Sequence, residues 1–160
     1  VALQKRGLGF TGGVNMFMVE AGWNRYYDLG KKWYGIAQVF GSIKLPFDQA
    51  YINQRGFGYG ENYLRGLEYY VIDGVATALI KSTIKKKLLS VNIPFKYFPK
   101  LLTKIPITVF AKTFTDVGYA YTKKKYDTNL NNRLLYSGGF GIDILTLYDI
   151  NLRIEYSFNQ

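Results

Sequence analysis

The chain contains 0 His and 0 Cys, so its ionic chemistry rests on 11 Asp and Glu and 21 Lys and Arg. A His-based triad, a thiol nucleophile, a disulfide framework and a Cys/His metal centre are all excluded. Asp143 and Glu155 are carboxylates that a general acid–base pair would require. Both alternate with apolar neighbours, so polar residues on one face of a strand are the simpler reading. The string Gly56-Phe57-Gly58-Tyr59-Gly60 superficially resembles a phosphate loop. It lacks the Lys-Ser/Thr ending and the strand–loop–helix setting, so a flexible loop accounts for it better. Arg65-Gly66 sits in a long Gly- and aromatic-rich stretch, and a guanidinium there must find a carboxylate or water. No enzyme and no cofactor is expected.

Period-two alternation positions these residues. From Ile150 to Gln160, Ile150, Leu152, Ile154, Tyr156 and Phe158 share one face, and Asn151, Arg153, Glu155, Ser157 and Asn159 the other. From Ile107 to Tyr121, Asp116 falls with Thr108, Lys112 and Gly118, opposite Val109, Val117 and Tyr119. From Leu134 to Leu147, Ser137, Gly139, Gly141 and Asp143 lie opposite Leu134, Tyr136, Phe140 and Ile142. Earlier strands are expected over Val14–Tyr27, with Glu20 on the polar face, over Trp33–Leu45, and from Val75 to about Val91, with Lys81 and Lys85 on the polar face. That makes about six strands, most of them longer than the usual soluble strand of about 5–6 residues.

The fold class is therefore all-β: an antiparallel transmembrane β-barrel segment. No run of about 18 apolar residues exists, so no transmembrane helix is expected. Tyr 15, Phe 11 and Gly 17 fit a barrel with aromatic girdles. Tyr26, Tyr27, Trp33, Tyr34, Tyr119, Tyr121 and Tyr148 gather near strand ends. The net charge of +10 is carried partly in short Lys runs, Lys31-Lys32, Lys85-Lys86-Lys87 and Lys123-Lys124-Lys125. These read as solvated strand ends, then as contacts to lipid headgroups or lipopolysaccharide, and not as a nucleic-acid surface. Short turns alternate with long connections, except that Asn92–Pro106 is long where a short turn is expected. No secretory signal precedes the first strand, which points to a processed or partial chain.

The most informative stretch runs from Leu45 to Gly74 and contains Tyr63-Leu64-Arg65-Gly66-Leu67. Here the chain resembles the superfamily of outer-membrane assembly barrels, which includes the BamA and TamA assembly factors, two-partner secretion transporters and surface-antigen-type relatives. Leu64-Arg65-Gly66-Leu67 matches three of four positions of that family's hydrophobic–Arg–Gly–aromatic tip, with Leu67 in place of the aromatic. Asp116-Val117-Gly118 matches its Asp-x-Gly motif, and Ser137 to Asp143 is similar to the small, glycine-rich strand that follows. Where the family often has a second lumen acid, this chain has Lys81.

The resemblance implies a loop, about 46–74, folded into the lumen and pinned there by an ion pair between Arg65 and Asp116. It implies that Glu20, Lys81, Asp143, Arg153 and Glu155 face that lumen. It places the protein in the bacterial outer membrane, in protein insertion or translocation, with client outer-membrane proteins and accessory lipoproteins as partners. The family barrel has sixteen strands, so the six here correspond to its tenth to fifteenth, and the remaining strands lie outside this chain. Two other readings stay open: a passive porin-like transport barrel, and the translocator barrel of a fusion protein with an upstream enzyme domain. A soluble β-sandwich is a more distant one.

Overall fold

The computed structural model describes residues 1–7, 15–60, 62–94, 104–123, 130–146 and 150–159. These residues form seven antiparallel strands in one open sheet, ordered as in the sequence. The strands are β1 (Ala2–Arg6), β2 (Met16–Gly30), β3 (Trp33–Leu45), β4 (Ala76–Pro94), β5 (Lys104–Tyr121), β6 (Leu134–Leu145) and β7 (Asn151–Asn159). Among the described residues there is no α-helix, only a short 3-10 turn at Tyr51–Asn53. Among the described residues no helix is long and apolar enough to cross a membrane, a criterion that does not apply to strands.

Six strands correspond to those read from the alternation, and β1 is a seventh that it missed. β1 pairs with β2 from Ala2↔Glu20 to Arg6↔Met16. The β2–β3 turn is tight. Lys31 and Lys32 both have positive φ, as a two-residue turn matched to strand twist requires. Asp28 Oδ1 accepts the Gly30 amide at 2.9 Å beside a register shift in the same hairpin.

The connection Asn92–Pro106 is shorter than it seemed, because both of its ends are strand. β4 runs on to Pro94 and β5 starts at Lys104. β3 stops pairing with β4 at Lys86, and β6 stops pairing with β5 at Thr108. Pro94 and Pro106 therefore lie where the hairpin has two strands only. A proline there has no third strand beside it to pair with, the edge setting in which sheets tolerate proline. Residues 95–103, the run Lys124-Lys125, Tyr148, Val14 and Gln160 lie outside the described residues.

The two faces differ in kind. The outer face carries exposed Val39, Ile43, Ile80, Ile84, Tyr119, Phe140, Ile142, Ile154 and Phe158. The inner face carries Gln38, Ser42, Thr83, Lys112, Asp116, Ser137 and Asp143, and the long loop lies over it. Phe57, Leu64, Leu67 and Ile72 of that loop form one buried cluster with Leu79, Ala120 and Leu135 of the sheet. Strand parity corrects part of the aromatic reading. Tyr27, Trp33, Tyr119 and Tyr121 share the outer face, whereas Tyr26 and Tyr34 share the inner one, where Tyr34 meets Phe110 edge to face at 6.1 Å.

Candidate functional site

Four consecutive loop residues, Tyr63-Leu64-Arg65-Gly66, each meet a different partner on the sheet. Tyr63 offers its ring to Lys81 of β4, whose ammonium lies 4.2 Å from the ring centre. Leu64 is buried against β5 where Gly118 has no side chain. Arg65 binds Asp116. Gly66, at φ +88°, lies against Ser157 of β7 and accepts a hydrogen bond from the Asn159 amide. A Cβ at Gly66 would meet the Ser157 hydroxyl at 3.1 Å, in a backbone conformation that side chains rarely adopt.

The Arg65–Asp116 pair is bidentate, with Nε to Oδ2 at 2.9 Å and Nη2 to Oδ1 at 2.5 Å. The Arg65 backbone amide also donates to Oδ2, at 3.0 Å. Nη1 donates to Thr83 Oγ1 at 2.9 Å, and the guanidinium lies over the Phe114 ring, 4.1 Å from its centre. Arg65 is 9% exposed and Asp116 0%. A planar fork that fits a carboxylate and stacks on an aromatic ring is what distinguishes Arg from Lys. Gly139 belongs to the same construction, because a Cβ there would come within 2.7 Å of Phe114 Cζ, the ring on which Arg65 rests.

Gly118 is a direct test of the tip. A Cβ at this position would stand 2.8 Å from Leu64 Cδ1 and 3.2 Å from Cδ2. Leu64 is itself buried and has nowhere to go. Gly118→Ala is expected to cost about 1–3 kcal/mol, the usual penalty of overpacking. Pairing it with Leu64→Ala should recover part of the loss in thermal unfolding. Wild-type stability in the single variant would show that the tip does not depend on this fit.

A second polar cluster sits farther along the inner face. Asp143 accepts from Lys85 at 2.5 Å and also pairs with Lys112, which in turn pairs with Glu155. Arg153 Nε lies 3.7 Å from Asp143 Oδ1 and 3.7 Å from Glu155 Oε1. Asp143 and Glu155 thus come together, but around cations, as an ion-pair lattice. Glu20 is on the inner face of β2, apart from both clusters, beside Arg6, Ser42 and Lys44. Among the described residues no group of three or more acids suits a metal ion.

The base of the loop is closed by backbone. Val75 N donates to Tyr121 O at 2.7 Å, Lys44 N to Val75 O at 2.8 Å and Gly74 N to Gln54 O at 2.6 Å. Phe57 pairs with Ile72 as an isolated bridge and is buried. The first half of the string, Gly56 to Gly58, is therefore packed, and Gly56 permits close approach to the Ile72 carbonyl, while Tyr59 and Gly60 are exposed. That corrects the reading of this string as merely flexible. Tyr59 donates to Asp73 at 2.8 Å, and burial together with that carboxylate pushes its phenol up to about 12.

Leu64, Arg65, Gly66, Asp116 and Gly118 are thus brought together, as are Asp143, Arg153 and Glu155. Sequence reasoning missed Tyr63 as the partner of Lys81, Thr83, Phe114 and Asn159 as partners of the tip, and Lys85 and Lys112 as partners of Asp143. The second pair had a usable signal. Lys112 is opposite Gly141, which puts Asp143 at the diagonal position where long side chains meet. No family model, curated protein or solved structure matches the chain.

Proposed function

We propose that this chain is a segment of a transmembrane β-barrel of the bacterial outer membrane, in the assembly and translocation superfamily it resembles. Its long loop is held on the lumenal side by Arg65 and Asp116. The observation that carries this reading is the buried bidentate pair at the tip of the loop. A passive barrel has no need to fix a loop this way.

The distribution of polarity supports the membrane part of the reading. A half-solvated soluble sheet turns its apolar face to a core and its polar face to water. Here the polar face is covered in part by the loop, and Ile80, Ile84, Phe140, Ile142 and Ile154 of the other face are bare. Hydrocarbon is the cover that suits them. β2 to β6 are 12–19 residues long, and a tilted strand needs about 9–11 to cross a bilayer. The edge strands call for further strands, since open edges are not tolerated in lipid. The sixteen-stranded closure, the lipopolysaccharide contact, the client proteins and the accessory lipoproteins follow from kinship within the proposal.

The test is an assembly assay with the full-length protein reconstituted in lipid vesicles. The rate at which an unfolded outer-membrane barrel protein becomes folded is compared for wild type and Arg65→Ala. A fall of about tenfold or more, with the sheet intact by circular dichroism, is the expected result. Equal rates, or no acceleration by wild type, would reject the assembly reading and leave a transport barrel.

A further inference from the structure

Between the loop tip and the ion-pair lattice, the inner face holds a cavity of about 520 Å³. Its wall includes Arg65, Lys81, Lys85, Lys112 and Arg153, with Glu155 as the only acid on it among the described residues. Asp116 and Asp143 stand behind these side chains as partners of Arg65, Lys85 and Lys112. Five cations thus face these three carboxylates and Glu68 of the loop, which acts on Lys81 from farther off, so one positive charge is in excess.

The excess has an address. Among the described residues no carboxylate pairs with Lys81, because Asp116, directly opposite it in register, is taken by Arg65. Among the described residues the close contact of Lys81 is the Tyr63 ring, with Asp116, Glu68 and Glu155 acting from farther off, which leaves its ammonium protons to donate elsewhere. Arg153 is 49% exposed and touches its two carboxylates only at 3.7 Å. The Thr83 hydroxyl accepts from Arg65, so its own proton remains to be given. Gln38 adds an amide to the same wall. A wall of donors with few acceptors and surplus positive charge is complementary to an anion with several oxygens.

We infer that this cavity is a binding site for a small free oxyanion of the phosphate class, with Lys81 and Arg153 as its principal contacts. The site rests on inner-face geometry alone, so it holds whatever covers the outer face. The loop tip forms part of its wall, because Tyr63 and Arg65 both line it. An anion seated there would draw on donors from the sheet and from the loop tip, and bind more tightly when the tip is docked.

The probe is inorganic phosphate, titrated calorimetrically at low ionic strength into the full-length protein in phosphatidylcholine vesicles. Saturable binding on the order of 1 mM is expected, weakened about tenfold by Arg153→Gln and further by Lys81→Gln. Lys31→Gln, on the distant β2–β3 turn, should leave it unchanged. Circular dichroism checks that each variant keeps its sheet, and Arg153→Gln, at an exposed position, serves if Lys81→Gln does not fold. Absence of saturable binding, equal loss in Lys31→Gln, or equal competition by chloride would overturn the site. So would protection of Lys81 from amine-modifying reagents only in phosphatidylglycerol vesicles without phosphate, since the occupant would then be a lipid headgroup.

Discussion

Asp116→Ala is expected to destabilise the protein by about 3–5 kcal/mol, because it leaves the Arg65 guanidinium buried without its counter-charge. Arg65→Ala should cost a similar amount, since Asp116 is fully buried and would lose its counter-charge and both side-chain donors, keeping only the backbone amide of residue 65. Removing both should cost less than the sum, because neither charge is then stranded. Arg65→Lys should behave nearly like Arg65→Ala: a single ammonium cannot reach both carboxylate oxygens, Thr83 and the Phe114 face together. Urea unfolding in lipid vesicles gives the energies. Tryptic cleavage at the Arg65–Gly66 bond gives the state of the loop. That bond is shielded in the wild type and should be cut rapidly in Asp116→Ala. A wild-type midpoint together with a protected bond in Asp116→Ala would show that the pair does not hold the loop.

Ile80→Arg separates a lipid-facing surface from a wetted one. Ile80 is 54% exposed in the middle of the outer face, with Val39 and Val117 as its cross-strand neighbours. In water such a substitution falls within about 0.5 kcal/mol of neutral. At the midplane of a bilayer it costs about 2–4 kcal/mol. The larger value is expected in vesicles, with the loss shrinking for the same change near the strand ends. A neutral result would mean that water or another protein surface, and not hydrocarbon, meets this face.

Much of the sheet was legible because alternation has a period that no helix reproduces. The facing of Asp116, Ser137, Gly139 and Asp143 followed from parity alone. β1 escaped because Leu3 is the one large apolar residue in Ala2–Arg6, and Lys5 shares its face through pairing with Phe17. The ends of β4 and β5 escaped because Pro94 and Pro106 read as breakers. Their tolerance depends on how far the neighbouring strands extend, which is a property of the sheet and not of the segment. The Arg65–Asp116 pairing came from resemblance. Neither residue's surroundings announce a partner 51 positions away. Tyr63 under Lys81 and Phe114 under Arg65 belong to the same class: contacts across the sheet, made by a loop without periodicity of its own. Leu67 shows how the tip does without an aromatic residue, since it is buried with Leu64, Leu79 and Leu135.

The partners of the tip arrive late along the chain. Asp116 is 51 residues beyond Arg65, and Asn159 is 93 beyond Gly66. Contacts of such separation carry a large loop-closure cost. A slip of one residue in β5 would turn Asp116 to the opposite face and leave Arg65 with nothing to grip. The seated tip therefore reports on two strands at once: it fits only a sheet in which β5 presents Asp116 and β7 presents Asn159 to it.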